Sequence, residues 1–428
     1  MAELNADRLQ RSGKCFSLWP FSMSPFQKFW DLAPTILLFC FVLSLLAGSF
    51  ILVKNTPTVA DENVHYRQII AILSGQNLMP NECPYLPGYH WTMAGLSRIL
   101  HDSRGPAMRF SSTLLSFFCF IAFFLLARRI DKNSAIQKSL LFFLCPIFFT
   151  ILPLVYTDFY AMMFVFLALL LALDRRLWLS GIVGILGLLV RQNNIIFLVM
   201  IAMIAYLEQY APRYRWKEVK PWIGKFFFFF LAVILMVVFV IWNKGFVFGD
   251  KIAHTFSLSC SNLFFLLFSL FFLFLPFHLS NAPKILVFLR KNKLMWVVLL
   301  ETFLVYALFF RADHPYNQLA RFLHNWILWD MARSIPLKCL YFIPIAYSIL
   351  SLCVTPLRQK SFYLLYPFTI LFLVPNAVIE IRYGFIPYAL FLLFKEKDSE
   401  RIMLFTLAIY VVGIGSILYL MKDQTYFI

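Results

Sequence analysis

The sequence predicts an all-α polytopic membrane protein that forms a single domain over residues 1–428, and three observations support this. Hydrophobic residues make up 61% of the chain and charged residues only 14%, which is far from the composition of soluble domains. Apolar runs of about the length of a membrane-crossing helix recur along the whole chain. The polar stretches between them are too short to bury a hydrophobic core of their own.

The apolar runs predict about 13 transmembrane helices when shorter tilted or broken runs are included. The predicted spans lie near 33–53, 107–127, 138–154, 159–173, 177–190, 194–207, 226–243, 262–279, 294–310, 336–354, 361–376, 383–394 and 402–421. Most Lys and Arg residues fall in the N-terminal segment 1–32 and in alternate loops, which is typical of the cytosolic side. The other loops, including the long loop 54–106, are therefore predicted to face the lumen or the exterior.

Several classes of protein and site are not indicated. The eight cysteines contain no CxxC pair and no His/Cys spacing typical of zinc, so neither a disulfide framework nor a structural metal is expected. The formal charge of +17 is divided among short clusters between spans, which does not indicate nucleic-acid binding. The loops predicted to be cytosolic contain no Walker or GxGxxG motif, so a nucleotide-fed active site is not expected.

The first outward loop carries a candidate general base. Asp61 and Glu62 follow the first span, with His65 about one helical turn later, and carboxylates and imidazoles are the groups that accept protons in catalysis. Taken alone, these side chains have a simpler interpretation as solvated residues beside a membrane. The same loop is predicted to contain two short amphipathic helices, near 64–73 and 93–100.

Polar clusters recur in the other outward loops, and each also has a simpler interpretation on its own. Asp158 is suited to cap a helix, Arg191 to reach lipid phosphate, and Glu380 with Arg382 to form an ion pair. The remaining polar candidates are Tyr89, Gln192, Asn194, Asp250, Lys251, His254, His314 and Tyr383. Because nearly all unusual polar residues fall on one predicted side of the membrane, we expect them to form one site there.

Taken in order, these motifs resemble those of the dolichyl-phosphate-glucose-dependent alpha-1,2-glucosyltransferases of the endoplasmic reticulum, which belong to the GT-C class. The matching segments are Asp61-Glu62 with His65, Pro87-Gly88-Tyr89, Tyr156-Thr157-Asp158, Arg191-Gln192 with Asn194, Gly249-Asp250-Lys251 with His254, His314-Pro315-Tyr316 and Glu380 with Arg382-Tyr383. The chain departs from the family at Arg321, which stands where the family's His-Pro motif has an acid. This departure bears on the identity of the acceptor.

The resemblance implies a GT-C-type helical bundle and an inverting transfer on the lumenal face of the endoplasmic reticulum membrane. Glucose would move from dolichyl phosphate glucose to the terminal glucose of a dolichol-linked oligosaccharide, forming an alpha-1,2 linkage in the assembly of the N-glycan precursor. The implied partners are these two lipid-linked substrates and membrane lipid.

Such a reaction needs a base and a cation cradle for the leaving phosphate. Asp61 is the expected base, with Glu62 sharing the role or positioning the acceptor and His65 orienting the acid. The expected phosphate-binding residues are Arg191, Lys251, His254, His314 and Arg382, with the two arginines ranked first. The expected sugar and acceptor contacts are Tyr89, Asp158, Gln192, Asn194, Asp250, Glu380 and Tyr383. Since fixed cations can take the place of a metal ion, no metal cofactor is expected.

Three alternatives remain open on the sequence. The chain could be another GT-C enzyme that uses a polyprenyl-phosphate sugar. It could be a transporter or lipid flippase, although ionisable residues deep within spans, which transport favours, are rare here. It could also be a non-catalytic scaffold, in which case the outward polar residues would not converge.

Overall fold

The computed structural model describes residues 25–76, 83–209, 223–251, 254 and 256–421, so most of the predicted cytosolic segment 1–32 lies outside the described residues. Within these ranges the regular structure is helical, apart from two isolated β-bridges. The α-helices are α1 (Pro25–Val53), α2 (Glu62–Leu73), α3 (Gly88–Leu100), α4 (Gly105–Ile130), α5 (Ala135–Phe143), α6 (Pro146–Phe149), α7 (Asp158–Leu173), α8 (Leu177–Val190), α9 (Ile195–Gln209), α10 (Phe227–Asn243), α11 (Ser261–Leu273), α12 (Leu275–Ser280), α13 (Ala282–Lys291), α14 (Leu294–Phe309), α15 (Leu323–Arg333), α16 (Ile335–Val354), α17 (Leu365–Leu373), α18 (Phe385–Phe394) and α19 (Glu400–Met421).

The chain divides into two compact units at a point within α1. One unit ends at Ser44 and the other begins at Leu45. All residues discussed below as a site belong to the second unit.

Four helices in the described part of the chain are long and apolar enough to cross a membrane, judged by length and composition. They are α1 from Leu32, α4, α16 and α19. A fifth candidate is the pair α13 and α14, which passes the same test together but is bent by 107°. These apolar helices fit a multi-pass membrane protein, while the predicted number of 13 spans is not confirmed.

Proline explains two of the breaks. The predicted span 138–154 is interrupted between α5 and α6, immediately before Pro146. The predicted span 262–279 is interrupted between α11 and α12, where Pro276 lies in the first turn of α12. Proline lacks the amide hydrogen that continues a helix and clashes with the preceding turn, so each run forms two short helices.

The first outward loop folds into α2 and α3, as the sequence predicts, although both helices begin earlier than expected. The starting residues are Glu62 and Gly88 rather than positions near 64 and 93. A Cβ atom on Gly88 would lie 2.5 Å from the main-chain oxygen of Leu189 in α8. Glycine at this position therefore allows the start of α3 to approach the end of α8 closely.

A shared hydrophobic core holds these loop helices against the longer ones. Ile69 of α2 and Met93 of α3 pack in one buried cluster with Met108 of α4 and Val190 of α8. Burying such side chains stabilises the arrangement by roughly 1.5–3 kcal/mol each. The loop that carries the candidate base is thus anchored to the helical body.

Candidate active site

The structure brings Asp61 into contact with Arg382, which lies 321 residues later in the chain. The Asp61 Oδ2 atom is 2.7 Å from a terminal guanidinium nitrogen of Arg382. The Asp61 side chain remains 45% exposed, whereas that of Arg382 is 14% exposed. The carboxylate is therefore both ion-paired and accessible.

The backbone just before Asp61 is strained. Ala60 has a φ of +46°, in the left-handed region that costs a non-glycine residue about 1–2 kcal/mol. The turn is held by its neighbours, because Val59 donates its amide to Glu62 at 2.8 Å and accepts a hydrogen bond from the Tyr156 hydroxyl at 3.3 Å. Strain of this kind, maintained by surrounding contacts, is typical of positioned functional residues.

Arg382 and Arg191 form the centre of one ion-pair cluster. Arg382 is 3.2 Å from Glu380 through Nε and 3.9 Å from Asp158 through a terminal nitrogen. Arg191 lies 2.9 Å from the other Asp158 oxygen, with Asp158 at the start of α7. The carboxylates of Asp61, Asp158 and Glu380 and the two guanidinium groups therefore form one continuous cluster, called the ion-pair cluster below.

Aromatic rings and a hydroxyl fix the two arginines further. The Arg191 guanidinium lies over the Tyr85 ring at 4.5 Å from its centroid, and that of Arg382 lies over the Tyr156 ring at 5.0 Å. Arg191 also donates from Nε to the Thr157 hydroxyl at 2.8 Å. Cation–π contacts and fixed hydrogen bonds hold the two guanidinium groups in defined orientations.

The charges in the cluster determine how Asp61 titrates. Burial acts to raise the pKa of Asp61, but the positive charge of Arg382 outweighs it, with a further contribution from His65, and the net result is a lowered pKa. Asp61 is therefore an ionised carboxylate at neutral pH. While it is paired with Arg382, its basicity is reduced.

Glu62 has a different environment from its neighbour. It is fully buried and forms an ion pair with Arg109 of α4, with Nε at 3.0 Å from one oxygen and a terminal nitrogen at 2.6 Å from the other. The main-chain amides of Val59 and Val155 also donate to it, at 2.8 and 2.9 Å. Both Glu62 oxygens are thus occupied by structural contacts, which favours Asp61 over Glu62 as the accessible acid.

Arg109 joins the end of α1 to this buried pair. Its terminal nitrogens donate to the main-chain oxygens of Thr56 and Pro57 at 2.8 and 2.9 Å, and also to that of Val53. The guanidinium group therefore connects the chain after α1, the start of α2 and the start of α4.

His65 is directed toward a second histidine. Its Nδ1 is 3.0 Å from Nε2 of His90 in α3, and the Cys83 sulfur is 3.8 Å from the same His90 nitrogen. All three side chains are buried. Burial lowers the pKa of His65 to about 4, lowers that of His90, and raises that of the Cys83 thiol to about 11.

This cluster was not indicated by the sequence. The candidate ligand atoms of His65, Cys83 and His90 all lie within 4.8 Å of one another, which is compatible with binding a metal ion. The three residues come from α2, from the turn before α3 and from α3 itself, so their spacing matches none of the short zinc patterns.

A second polar group lies around Tyr316. Its hydroxyl donates to Asp250 at 3.2 Å, and its amide donates to the His314 ring nitrogen at 3.2 Å. The His254 ring meets that of Tyr316 edge to face, with 6.4 Å between the ring centroids. Burial lowers the pKa of His254, although the charges of Asp250, and of Glu380 and Asp61 in the ion-pair cluster, act to raise it.

Lys251 and Tyr89 are placed differently from what we expected. Lys251 is exposed and donates to the main-chain oxygen of Asn243, so among the described contacts it does not join the ion-pair cluster. Tyr89 is 0% exposed, and its hydroxyl is 3.3 Å from that of Ser112. Such burial leaves no surface for a sugar, so the structure gives Tyr89 a packing role.

Two further candidates fasten the loops. Gln192 donates to the main-chain oxygen of Pro84 at 2.7 Å, and Asn194 donates to that of Ala161 at 3.3 Å. Both side chains are almost fully buried. Their side-chain nitrogens therefore hold the turn after α8.

Tyr383 is buried beside the ion-pair cluster. It lies close enough to Arg191 and Glu380 to interact electrostatically with both.

Sequence reasoning did not identify Arg109, Tyr85, Tyr156, Cys83 or His90 as parts of these clusters. Two of them carry a signal in the sequence. An arginine two residues into the predicted span 107–127, Arg109, requires a partner, and Tyr156 stands in the Tyr156-Thr157-Asp158 motif. The others became apparent only from the three-dimensional contacts.

Comparison with known proteins gives one family match. The model of the DIE2/ALG10 family matches residues 56–393. Three curated relatives share the name Dol-P-Glc:Glc(2)Man(9)GlcNAc(2)-PP-Dol alpha-1,2-glucosyltransferase. The Homo sapiens protein is 27% identical over 334 residues, covering 66% of this chain and 70% of the relative. The Debaryomyces hansenii protein is 22% identical over 297 residues, with 60% and 62% covered, and the Arabidopsis thaliana protein is 30% identical over 173 residues, with 38% and 34% covered.

This chain therefore matches 62% of the length of the Debaryomyces relative and 34% of that of the Arabidopsis relative. Among solved structures, similarity extends to the Archaeoglobus fulgidus oligosaccharyltransferase. Its apo crystal structure has a TM-score of 0.49 at 14% identity, covering 94% of this chain and 57% of that protein. The complex of that enzyme with an inhibitory peptide and a dolichol-phosphate has a TM-score of 0.45 at 14% identity, covering 94% and 56%.

Proposed function

Since the chain belongs to the DIE2/ALG10 family, we propose that it is an inverting glucosyltransferase that uses dolichyl phosphate glucose. The acceptor is the terminal glucose of a dolichol-diphosphate oligosaccharide, and the product linkage is alpha-1,2, in agreement with the names of the three relatives. The observation that carries the proposal is the ion-pair cluster, in which an accessible carboxylate lies next to two fixed guanidinium groups.

In this proposal the guanidinium groups of Arg191 and Arg382 bind the phosphate that leaves with the lipid. Guanidinium groups suit bidentate phosphate binding, and fixed cations stabilise negative charge as the bond to the anomeric carbon lengthens. The cluster holds three carboxylates and two guanidinium groups, so an incoming phosphate has to replace a carboxylate. We propose no metal ion at the phosphate, because the two cations supply the charge.

Asp61 is the carboxylate that the phosphate displaces. Three carboxylates are described in ion pairs with Arg382, and Asp61 is the most exposed of them. Its side chain is 45% exposed, against 15% for Glu380 and 2% for Asp158. Once released from Arg382, Asp61 regains basicity because the cation that lowered its pKa is neutralised by phosphate. Donor binding therefore activates the base that removes the proton from the acceptor hydroxyl.

Inversion follows from the attack geometry. The acceptor oxygen attacks the anomeric carbon from the face opposite the phosphate, and a single carboxylate takes its proton. A beta-linked donor then gives an alpha product. We assign Glu380 and Asp158 to sugar hydroxyls or to holding the arginines, and we place the polar group of Asp250, His254, His314 and Tyr316 on the acceptor side.

Membrane placement is part of the same proposal. We place the site on the lumenal side of the endoplasmic reticulum membrane, because the basic loops alternate with the loops that carry Asp61, Arg191 and Arg382. Glycosylation-site tags inserted beside each of these residues should all be modified in microsomes. Modification beside Asp61 but not beside Arg191 would contradict both the orientation and the shared site.

The central experiment is transfer of labelled glucose from dolichyl phosphate glucose to the lipid-linked acceptor in reconstituted vesicles. Wild-type protein should transfer glucose in buffer to which no Mg²⁺ or Mn²⁺ is added. Arg191→Gln and Arg382→Gln should each reduce turnover by at least about 100-fold. Unchanged turnover in both variants would refute the proposed phosphate site.

A further inference from the structure

We propose that His65, Cys83 and His90 form a buried Zn²⁺ site that is separate from the donor phosphate site. The inference does not depend on the proposed glucosyl transfer, because it rests on the geometry and chemistry of these three side chains alone. Two imidazole nitrogens and one sulfur form a ligand set that Zn²⁺ binds in many proteins.

Two of the three ligand separations are close to those of tetrahedral zinc. Zn–N bonds of about 2.0–2.1 Å and a Zn–S bond of about 2.3 Å place two nitrogens about 3.3 Å apart and a nitrogen about 3.6 Å from the sulfur. The observed separations are 3.0 Å between the histidine nitrogens and 3.8 Å between His90 Nε2 and Cys83 Sγ. The ligand atoms of His65 and Cys83 lie within 4.8 Å of each other, so these two side chains would have to approach by up to about 1.2 Å to reach the tetrahedral separation. A fourth position is left for water or another oxygen ligand.

Hydrogen bonding alone accounts poorly for this cluster. His65 Nδ1 and the Cys83 sulfur both approach His90 Nε2. If that nitrogen accepts from either group, the proton of His90 resides on Nδ1, and if it donates to His65, Nδ1 is an unprotonated acceptor. In both cases Nε2 offers only one proton or one lone pair and satisfies only one of its two neighbours, while Nδ1 of the 1% exposed His90 has no hydrogen-bond partner among the described residues whether or not a metal binds. Three donor atoms that converge on one point are better satisfied by a cation than by one another.

The charge of a bound metal ion would be compensated by the neighbouring ion-pair cluster. Two neutral imidazoles and one thiolate bound to Zn²⁺ carry a net charge of +1, which is unfavourable in a buried position without a nearby anion. Asp61 lies close enough to interact electrostatically with both His65 and Cys83, and so does Arg191. The ion-pair cluster as a whole holds three carboxylates and two guanidinium groups, so its excess negative charge is the compensation for the metal.

The role of the metal would be structural. His65 belongs to α2, His90 belongs to α3, and Cys83 lies in the turn just before α3. A bound ion would cross-link the two helices of the outward loop, and closing a loop in this way stabilises the folded state. The cross-link begins four residues after Asp61, so it would also restrain the segment that presents the base.

The test is the metal content of the full chain, purified in detergent through a tag without histidines and without chelators. Inductively coupled plasma mass spectrometry should find about one zinc per chain in wild type and less than about 0.2 in Cys83→Ala and His90→Gln. Cys119→Ala and His278→Gln are matched controls, because both residues are also buried, and they should retain the wild-type zinc content.

A spectroscopic arm separates loss of the site from loss of the fold. Co²⁺ added to zinc-depleted wild type and to zinc-depleted Cys119→Ala should produce a thiolate-to-cobalt charge-transfer band. Cys83→Ala should lack this band, and a cooperative melting curve for this variant would show that it is still folded. Added Zn²⁺ should raise the unfolding midpoint of the depleted wild type by several degrees. Absence of zinc from the purified wild type, together with no Co²⁺ band and no Zn²⁺-dependent shift, would overturn the inference.

Discussion

Asp61 and Glu62 are adjacent acids, yet we expect their removal to affect different properties of the protein. Asp61→Asn removes the proposed base while leaving its surroundings intact, because the side chain is 45% exposed. Loss of a general base slows a reaction by about 10²–10⁴-fold, or roughly 3–5 kcal/mol in the activation barrier. The partly exposed ion pair with Arg382 contributes at most about 1 kcal/mol to stability, so the unfolding midpoint should change little.

Glu62→Gln should instead lower stability. The Glu62 and Arg109 side chains are 1% and 3% exposed, and removing one partner of a buried ion pair costs about 3–5 kcal/mol because the other charge is left uncompensated. Arg109 keeps its main-chain oxygen partners, which places the expected loss near the lower end of this range. Turnover per folded molecule should stay within about threefold of wild type.

Two measurements on each variant decide the matter: glucose transfer in vesicles, normalised to folded protein, and the unfolding midpoint in detergent. Asp102→Asn is a control, because Asp102 pairs with Arg104 at 2.7 Å on the surface and its loss should change neither quantity. Combining Glu62→Gln with Arg109→Gln should recover part of the lost stability. The reasoning fails if Glu62→Gln abolishes transfer with an unchanged midpoint while Asp61→Asn remains active.

Three further outcomes follow from the same geometry. Because Arg382 lowers the pKa of Asp61, the carboxylate stays ionised and its ion pair persists as the pH falls, until the pH passes through the lowered folded-state pKa. The kcat/KM for the donor, which reports the free enzyme, should therefore hold from neutrality down to about pH 5. Its acid limb should move to higher pH in Arg382→Gln, and an unmoved limb would contradict the pairing. Ala60→Gly should raise the unfolding midpoint by removing the left-handed strain at φ +46°, and the gain in the free energy of unfolding should be about 0.5–1 kcal/mol. A lowered midpoint would count against strain at this turn. Lys251→Ala should leave the KM for the donor within about twofold of wild type, since the Lys251 ammonium group contacts Asn243. A tenfold rise in this KM would indicate that Lys251 binds the phosphate after all.

The family and the grouping of distant residues could be predicted from the sequence. The resemblance carried by the ordered motifs is confirmed by the match over residues 56–393. The motifs also indicated that Asp61, Asp158, Arg191, Lys251 and Arg382 would lie together. The structure joins four of these by ion pairs, whereas Lys251 contacts Asn243 instead. Such grouping is predictable because charged groups beside a membrane need partners on the same side. Their catalytic roles stay predictions.

The partners of individual residues could not be predicted. Nothing local distinguishes Asp61 from Glu62, since the difference arises from Arg109, which lies 47 residues away and pairs with Glu62 only in the folded chain. His90 likewise meets His65 only through the packing of α3 against α2. The helix breaks before Pro146 and at Pro276 were visible as prolines in the sequence, yet hydropathy alone merged the flanking segments into single spans.

The buried bond between Glu62 and Arg109 has a consequence for biogenesis. A guanidinium near the start of a long apolar helix such as α4 is costly to place beside lipid, and the carboxylate that neutralises it is synthesised earlier, within the preceding loop. In the membrane orientation proposed above, we therefore expect integration of that helix into the bilayer to be favoured once the earlier segment has crossed and can offer its charge. The order of synthesis along the polypeptide thus matches the order in which the two opposite charges are needed.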